Sequence, residues 1–295
     1  MELARRHRGE IVSCDSTAVY RGFDIGTDKV EEHERRGIAH HLIDIVEPTE
    51  EYTAARYARD AVAAIEDIYR RDRWPILVGG TGLYYRALVR GLFPGPPADA
   101  RMRERLESIA HRRGVGFLHK MVAKVDPESA RRILPRDLKR LVRCLEVYFL
   151  TGTPLTDHFA DTVSPLSGYE TVAVGLSIPL AEIAERTARR VDRQFERGLL
   201  DEIRGLLARG VPETARPFGG LVYRQALEHL RGVRNEKETR ALISQENRRY
   251  ARRQLIWFRK EPNLVWLQAA GETPETPAAV ESILAKWRQC FPASS

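Results

Sequence analysis

The stretch WPILVGGTG, residues 74–82, is the part of the sequence from which the fold class follows most directly. It begins with an apolar run of strand length, passes through a glycine-rich turn, and continues with helical spacing over residues 83–90. Upstream, the apolar side chains between residues 57 and 68 also recur at helical spacing. This succession of helix, strand, glycine turn and helix predicts an α/β protein with a parallel sheet. In such proteins ligands gather at the carboxyl ends of the strands.

A second strand pattern, near the amino terminus, ends at an acidic residue. Residues 10–14 (EIVSC) form a short buried-strand pattern followed by Asp15, and residues 1–8 (MELARRHR) are typical of the end of an amphipathic helix closed by Gly9. Because Asp15 and Thr81 both follow strands, we expect them on one rim of the sheet. An α/β domain that begins inside a helix also leads us to expect that the strand before this helix is missing.

A Pro/Gly-rich segment, residues 93–98 (FPGPPA), predicts a domain boundary. The residues after it have a helical and basic pattern without a strand, and strand character returns at 169–178 and again at 263–267. The sequence therefore predicts an α/β core interrupted by a helical insertion. The predicted bounds are 1–98 with 165–295 for the core and 99–164 for the insertion.

Composition and charge indicate a globular protein with an anionic partner. The 295 residues are 43% hydrophobic and 30% charged, and the net charge of +7 with a pI near 9.4 favours a nucleic acid or a diphosphate as partner. A protein that is basic without such a partner is the alternative. Three widely spaced cysteines, Cys14, Cys144 and Cys290, argue against a disulfide framework. No apolar run has the length of a membrane span and no signal peptide is evident, so we expect a cytoplasmic protein without a membrane partner.

Both predicted strand ends offer groups suited to chemistry. The carboxylate of Asp15 could accept a proton or orient an amine, and the alternative is an aspartate that caps a following helix. The run Gly79-Gly80-Thr81-Gly82 leaves backbone N–H groups open to an anion at the start of a helix, although a structural turn explains it equally well. The usual phosphate loop, GxxxxGK[ST], does not occur in the 295 residues.

Arginine-rich helices form a further candidate site. Arg186 and Arg190 are four residues apart and share a helix face. Two other clusters are Arg136, Arg140 and Arg143, and Arg248, Arg249, Arg252 and Arg253 with Tyr250 among them and Trp257 and Phe258 following. Guanidinium groups bind phosphates and aromatic rings stack on bases, which favours phosphate or RNA binding over solvated faces paired with acidic residues. The pair His40-His41 suits packing better than metal binding, because adjacent side chains diverge.

Seven blocks of the sequence resemble, in the same order, those of the tRNA dimethylallyltransferases, the family that prenylates N6 of adenosine 37 beside the anticodon. The blocks are residues 13–29 (SCDSTAVYRGFDIGTDK), 40–48 (HHLIDIVEP), 75–88 (PILVGGTGLYYRAL), 137–147 (DLKRLVRCLEV), 185–203 (ERTARRVDRQFERGLLDEI), 222–227 (VYRQAL) and 248–260 (RRYARRQLIWFRK). They span nearly the whole chain. The resemblance implies a phosphate-loop-NTPase-like core, an inserted helical domain that grips tRNA, dimethylallyl diphosphate as donor and the anticodon stem-loop as acceptor.

The resemblance also implies roles for individual residues. Asp15 would hydrogen-bond the adenine amino group and act as general base, with Thr81 near the reacting centre. The pocket for the flipped base would be lined by Ser16, Thr17 and Ala18. The diphosphate would face Arg186, Arg190, Gly79 and Gly80. Further contacts with tRNA are implied for Arg103, Lys139, Arg140, Leu141, Val142, Arg143, Gly220, Leu221, Val222, Tyr223, Arg224, Gln225, Arg248, Arg249, Arg252 and Arg253.

The sequence departs from the family pattern at its start and at three single positions. Family members open with a strand and a phosphate loop, whereas this sequence starts inside the helix that follows. The lysine for the diphosphate and the Ser/Thr ligand for Mg²⁺ are therefore expected outside it, and no metal ligand is assigned within it. A miscalled or truncated start and a genuine short form with weakened diphosphate binding are the two explanations. Val222 replaces a family glycine, Asp28 an alanine and Val30 a proline.

Three functions are open from the sequence. The first is a monomeric, Mg²⁺-dependent tRNA dimethylallyltransferase for tRNAs that read codons beginning with U. The second is a catalytically inactive tRNA-binding remnant of that family, and the third is a small-molecule kinase of the phosphate-loop class. The absence of the phosphate-loop lysine and the extent of basic surface argue against the kinase. ATP binding is often ascribed to the family because of its loop, although prenyl transfer needs no ATP.

Overall fold

The computed structural model describes residues 1–290, which form two compact units. The first unit comprises Met1–Leu88 together with the chain from Gly168 onward, and the second comprises Val89–Ser167. The first is a mixed α/β unit with parallel strands, and the second, which is described in full, consists of helices and turns without a strand. The predicted insertion, residues 99–164, falls inside the second unit.

The first unit contains a three-stranded parallel sheet in the order β2-β1-β3. Its strands are β1 (Gly9–Cys14), β2 (His40–His41) and β3 (Trp74–Gly79). Strand β1 is central and buried along its whole length. Its last residue, Cys14, lies opposite Gly79, the last residue of β3, so both strands leave the sheet at the same edge. The prediction that Asp15 and Thr81 share one rim is confirmed.

Two further strands, β4 (Ala173–Leu176) and β5 (Leu264–Leu267), pair with each other in parallel. Both occur where the sequence predicts strands, but β4 is shorter than the predicted stretch 169–178. The sequence predicted one parallel sheet. Among the residues that the structure describes, the strands instead divide between two sheets, because no strand is hydrogen-bonded to both groups.

Thirteen α-helices account for most of the described chain. They are α1 (Glu2–Arg6), α2 (Ala54–Arg70), α3 (Gly82–Val89), α4 (Ala100–Arg113), α5 (Val115–Val125), α6 (Pro127–Arg132), α7 (Leu138–Thr151), α8 (Leu155–His158), α9 (Leu180–Glu196), α10 (Leu199–Ala208), α11 (Leu221–Leu230), α12 (Glu236–Phe258) and α13 (Thr276–Cys290). Helix α2 is capped by Thr53 Oγ1, which accepts from Arg56 N at 3.1 Å, and its buried face has the predicted periodicity. None of the described helices is both long and apolar enough to cross a membrane.

The second unit is organised by capped helices around an apolar core. Aspartate side chains accept backbone N–H bonds at the starts of α4, α6 and α7. The capping residues are Asp99, Asp126 and Asp137. Facing side chains of α4, α5 and α7 fill the core, where Leu118, Leu141 and Leu145 are fully buried. The caps determine where these helices begin, and their apolar faces pack against one another to form the core.

The predicted closure of the first helix by Gly9 is wrong. Helix α1 ends at Arg6, Arg8 takes the left-handed conformation with φ 52°, and Gly9 is already the first residue of β1. A Cβ on Gly9 would lie 2.9 Å from the carbonyl oxygen of Trp74. The glycine is therefore needed for the close approach of β1 to β3, a contact that the local sequence does not reveal.

Candidate active site

Asp15, the first residue after β1, lies in a turn that its own carboxylate organises. Oδ1 of Asp15 accepts hydrogen bonds from the backbone N of Thr17 at 2.7 Å and of Ala18 at 3.2 Å, and from Thr17 Oγ1 at 2.6 Å. These are the bonds of an aspartate that caps a turn. Oδ2 takes part in none of them, so the side chain retains a second oxygen that can accept a proton. The alternative of a helix cap is wrong, because a turn and not a helix follows Asp15, but capping this turn leaves Asp15 able to accept a proton.

Thr81 joins the glycine turn after β3 to the Asp15 turn. Its backbone N donates to the carbonyl oxygen of Cys14 at 3.1 Å. Its Oγ1 accepts from the backbone N of Ser16 at 3.1 Å and lies 3.4 Å from Ser16 Oγ. The structure thus brings Asp15, Ser16 and Thr81 together at the carboxyl ends of two adjacent strands, where a parallel sheet places its ligands.

Close packing explains the first two glycines of the turn. A Cβ on Gly79 would lie 2.3 Å from the carbonyl oxygen of Cys14, and a Cβ on Gly80 would lie 2.2 Å from Gln254 Nε2. Gln254 Nε2 donates to the carbonyl oxygen of Gly80 at 3.0 Å, so α12 rests directly on the turn. This packing accounts for both glycines without an anion, and their role in diphosphate binding stays a prediction.

Helix α12 contacts this region through aromatic side chains. A Cβ on Gly82 would lie 2.5 Å from the ring of Trp257. The ring of Tyr85 packs edge-on against Trp257 and Phe258, with centroid distances of 6.4 and 5.5 Å. Tyr250, about two turns before Trp257, is exposed. One face of α12 therefore borders the rim that carries Thr81.

Four arginines of α12 stand out because they form no ion pair with any carboxylate in residues 1–290. Arg248, Arg249, Arg252 and Arg253 are all exposed. Within residues 1–290 none of the four forms an ion pair, and the guanidinium of Arg253 lies 5.7 Å from the centroid of the Tyr250 ring. A row of uncompensated guanidinium groups attracts polyanions, and its contribution to binding falls with added salt.

The two arginines predicted for the diphosphate, on α9, are instead held by carboxylates. Arg186 Nε donates to Glu182 Oε1 at 2.8 Å, and its guanidinium also pairs with Glu272. Arg190 Nε lies 3.0 Å from Asp28 Oδ2. The positive charge of this helix face is therefore largely compensated in this conformation, in contrast to that of the α12 arginines.

A cavity of about 420 Å³ lies where β4 ends and α9 begins. Its lining combines two arginines with aliphatic side chains, namely Arg252, Arg259, Ile178, Leu180, Leu255 and Ile256. The sequence patterns gave no indication of this cavity, because its lining comes from segments that are distant in the chain. Its chemistry suits a ligand that has both an apolar part and a negative charge.

In the second unit, Arg103 and Arg143 converge on one carboxylate. Arg103 Nε and Nη2 donate to Glu146 Oε1 and Oε2 at 2.8 and 3.0 Å, and Arg143 Nη1 donates to Oε2 at 2.6 Å. Glu146 is fully buried. Burial alone would raise the pKa of Glu146, but the hydrogen bonds from both arginines and from the Asp99 backbone outweigh it, so the pKa is lowered. The buried glutamate therefore fixes both guanidinium groups at the surface of this unit.

Two segments predicted to contact tRNA face partly inward. In the segment 139–143, the side chains of Leu141 and Val142 are buried, while Lys139 and Arg140 are exposed and Arg143 is half-buried. In the segment 220–225, Val222, Tyr223 and Gln225 are buried, Gly220 and Leu221 are half-buried, and Arg224 is exposed. Direct side-chain contact with tRNA can thus come from only part of each segment.

Tyr223 has a structural task that the sequence did not reveal. Its hydroxyl donates to Glu202 Oε1 at 2.6 Å and accepts from the backbone N of Gly26 at 3.0 Å. Glu202 Oε2 in turn accepts from the backbone N of Asp24 and Ile25, at 2.9 and 2.7 Å. Burial raises the pKa of the Tyr223 phenol, and the Glu202 carboxylate adds to this. Helices α10 and α11 therefore hold the turn at residues 24–26.

A buried lysine holds the same loop from the other side. The side chain of Lys29 is only 4% exposed, and its Nζ donates to the carbonyl oxygen of Tyr20 at 2.6 Å and to Asp24 Oδ1 at 2.7 Å. It also donates to Asp44. The lysine belongs to a quoted sequence block, but only its burial shows that it acts inside the protein.

No metal site is apparent in residues 1–290, since no group of three or more His, Cys, Asp and Glu side chains there is arranged to hold an ion. His41 Nε2 instead lies 2.7 Å from Oε2 of the buried Glu10, and His40 Nδ1 lies 2.8 Å from the carbonyl oxygen of Ile38. These contacts give both histidines a role in packing.

Comparisons with known proteins give one consistent result. The profile of the IPP transferase family matches residues 18–261. The tRNA dimethylallyltransferase of Solibacter usitatus is 45% identical over 285 residues, which cover 97% of this chain and 92% of that protein. The full-length tRNA isopentenylpyrophosphate transferase of Bacillus halodurans has a solved structure with a TM-score of 0.69 and 35% identity, covering 97% of this chain and 90% of that one. The structure of a eukaryotic dimethylallyltransferase acting on tRNA gives a TM-score of 0.80 at 26% identity, with 98% and 75% covered.

Proposed function

The chain belongs to the IPP transferase family, and from this premise we propose that it is a tRNA dimethylallyltransferase. The reaction transfers a dimethylallyl group from dimethylallyl diphosphate to N6 of adenosine 37, in tRNAs that read codons beginning with U, and gives N6-isopentenyladenosine. The bond from N6 to C1 of the donor forms while the bond from C1 to the diphosphate oxygen breaks. The diphosphate leaves with the electron pair, and the N6 proton passes to a base on the protein.

The carboxylate of Asp15 is the single observation that carries this proposal. Hydrogen bonds to Thr17 and Ala18 hold Oδ1 in place, which orients Oδ2 without occupying it. A positioned carboxylate at a strand end can accept the N6 proton as the new bond forms. The hydroxyl of Thr81, bonded to the neighbouring Ser16, lies at the same reacting centre. Ser16, Thr17 and Ala18 then line the pocket for the base.

The departing diphosphate needs positive charge close by. We assign this role to Arg186 and Arg190 on α9, which must exchange their carboxylate partners for the diphosphate, and to the turn at Gly79 and Gly80 beside Thr81. The cavity lined by Arg252 and Arg259 combines aliphatic and positively charged side chains, which suits a donor that joins a hydrocarbon group to a diphosphate, but Arg186, Arg190, Gly79 and Gly80 are not part of its lining. Magnesium is proposed as the cofactor from the family resemblance, and it would offset the charge of the departing diphosphate, to which the ion can bind with few protein ligands.

The tRNA is proposed to bind along two basic surfaces, one in each unit. On α12 these are the exposed Arg248, Arg249, Arg252 and Arg253, which lie beside the candidate pocket. In the second unit they are Arg103, Lys139, Arg140 and Arg143. The anticodon loop is already single-stranded, so extruding one of its bases into a pocket costs less than it would in a duplex. The protein is proposed to act as a monomer.

The experiment that tests this function measures transfer of labelled dimethylallyl diphosphate to an anticodon stem-loop with adenosine at positions 36 to 38. Protein expressed from its own gene is assayed with and without magnesium, and a stem-loop with guanosine at position 37 is the control. We expect label only in the adenosine stem-loop. Tight stem-loop binding without any transfer would refute the proposal and favour an inactive tRNA-binding protein.

A further inference from the structure

Tyr250 is an aromatic residue of α12 that has no role in the site as described so far. Tyr250 is 41% exposed, whereas Trp257 and Phe258 of the same helix are half-buried against Tyr85 of α3. An exposed tyrosine gains little stability from packing. We therefore looked for a functional role of the ring in its position relative to the rim of the sheet.

Several contacts place Tyr250 at the rim that carries Asp15. Gln254 lies one turn further along the same helix face, and its Nε2 donates to the carbonyl oxygen of Gly80 at 3.0 Å. The next residue, Thr81, is hydrogen-bonded to Ser16, the neighbour of Asp15. Burial of the hydroxyl raises the pKa of the Tyr250 phenol, and the nearby Asp15 carboxylate adds to the rise. The hydroxyl end of Tyr250 and Asp15 therefore border the same space.

The surroundings of the ring suit a nucleotide. Arg253 lies 5.7 Å from the ring centroid, and the exposed Arg248, Arg249 and Arg252 lie within one turn of Tyr250. Guanidinium groups around an exposed aromatic ring are the arrangement by which proteins hold single-stranded nucleic acid, with phosphates on the cations and a base on the ring. Because Gln254 and Thr81 place Tyr250 and Asp15 at the same rim of the sheet, a base stacked on this ring would lie near the carboxylate.

We propose that the ring of Tyr250 is the surface on which the acceptor purine stacks while its amino group meets Asp15. This inference rests on the proposed function and deepens it. The amino group of adenine lies in the plane of the base, so a ring that fixes this plane also fixes the direction in which N6 approaches the carboxylate. A purine covers more of an aromatic ring than a pyrimidine does, and Tyr250 thus favours a purine in the pocket.

The test compares two variants of Tyr250 with one matched control. Tyr250→Phe keeps the ring and removes only the hydroxyl, whereas Tyr250→Leu removes the aromatic surface. Tyr69→Leu is the control, because Tyr69 is 65% exposed in the last turn of α2, just before β3 and therefore at the opposite, amino-terminal edge of the sheet. Thermal unfolding of all three variants verifies that they fold like the wild type.

Stacking is read directly with a stem-loop that carries 2-aminopurine at the acceptor position, because its fluorescence is quenched by an aromatic neighbour. We expect quenching on binding to the wild type, Tyr250→Phe and Tyr69→Leu, and little quenching with Tyr250→Leu. With the adenosine stem-loop, kcat/KM should fall about 10- to 100-fold in Tyr250→Leu alone. The KM for dimethylallyl diphosphate should not change in any variant.

Undiminished quenching with Tyr250→Leu, or an equal loss of kcat/KM in Tyr69→Leu, would overturn the assignment of Tyr250. The fluorescence reports on the base without turnover. A wild-type protein that quenches but transfers no label would therefore refute the proposed function while supporting the role of Tyr250.

Discussion

Asp28 holds Arg190 in an ion pair, with Arg190 Nε 3.0 Å from Asp28 Oδ2. Asp28 has a left-handed backbone with φ 57°, and its Oδ1 also lies 3.7 Å from Arg197 Nη1. Nη2 of Arg190 donates to the carbonyl oxygen of the preceding Thr27 at 3.4 Å. The pair therefore sets a carboxylate beside an arginine that is proposed to face the diphosphate.

A diphosphate must compete with this carboxylate for Arg190. We expect Asp28→Ala to lower the KM for dimethylallyl diphosphate several-fold and to leave stem-loop affinity unchanged, since both groups are partly exposed and their pairing is worth about 0.2–1 kcal/mol. Titration with the donor and with inorganic diphosphate measures the effect. Glu185→Ala is the matched control, because Glu185 pairs with Arg189 on the same helix. A KM that rises in Asp28→Ala would show that the aspartate positions Arg190 for the donor.

Replacing Asp15 with asparagine tests the general base without disturbing the turn. The amide side chain of Asp15→Asn keeps an oxygen that can accept from Thr17 and Ala18, but it cannot take a proton at neutral pH. We expect kcat to fall by about 10²- to 10⁴-fold, the usual contribution of a general base, with stem-loop Kd within about threefold of the wild type. Single-turnover transfer and fluorescence anisotropy measure the two quantities. A large loss of binding with intact kcat would contradict the assignment.

The sequence predicted those parts of the site that depend only on the succession of neighbouring elements along the chain. A strand, a glycine turn and a helix in succession place Thr81 at a strand end, and the same reasoning places Asp15 beside it. The pairing of Arg190 with Asp28 could not be predicted in this way, because it joins α9 to a distant loop. The burial of Lys29 likewise depends on Asp24 and Asp44, which surround it only after folding.

Glycine positions show the same division. From the sequence, Gly79 and Gly80 could belong either to an anion site or to a structural turn. A Cβ on either residue would collide with Cys14 or Gln254, and this requirement for glycine is visible only in the tertiary structure. At Gly9 a local rule for helix ends gave the wrong answer. The contact between β1 and β3 requires glycine at that position, and Arg8 takes the left-handed turn in its place.

Removing the hydroxyl of Tyr223 should destabilise the protein without touching the proposed chemistry. Tyr223→Phe leaves Glu202 Oε1 and the backbone N of Gly26 without their shared partner in a buried setting. An unsatisfied buried polar group costs about 1–3 kcal/mol, so we expect the free energy of unfolding to fall by about that amount. Urea denaturation measures it, with Tyr69→Phe as an exposed control. An unchanged unfolding midpoint would show that the two bonds contribute nothing net.

The buried Glu10 should make stability depend on acid pH. Hydrogen bonds from Arg71 and His41 outweigh burial and lower the pKa of Glu10 from 4.5 to about 2. Because the folded state prefers the charged carboxylate, its contribution is complete above pH 4.5 and is lost as the pH falls towards 2. We expect Glu10→Gln to be less stable than the wild type at pH 6, with a difference that shrinks by pH 3.

Urea denaturation at several pH values measures this difference. Glu185→Gln is the control, since the side chain of Glu185 is 71% exposed and its pair with Arg189 should contribute little at any pH. A difference between Glu10→Gln and the wild type that stays constant from pH 6 to pH 3 would contradict the proposed electrostatic role.

The α12 arginines should set the salt dependence of tRNA binding. Arg248 and Arg249 are exposed and, in the part of the chain that the structure describes, unpaired with carboxylates, so each can neutralise one phosphate and release one counterion. Replacing either with glutamine should therefore weaken stem-loop binding and reduce the slope of log K against log salt by about 0.7–0.9. Arg231→Gln is the matched control, because the Arg231 guanidinium already pairs with Glu213 and should change the slope little. Stem-loop Kd values between about 50 and 200 mM potassium chloride span a range in which such slopes are measurable. Equal slopes for the α12 variants and the wild type would mean that the tRNA phosphates lie on other basic residues.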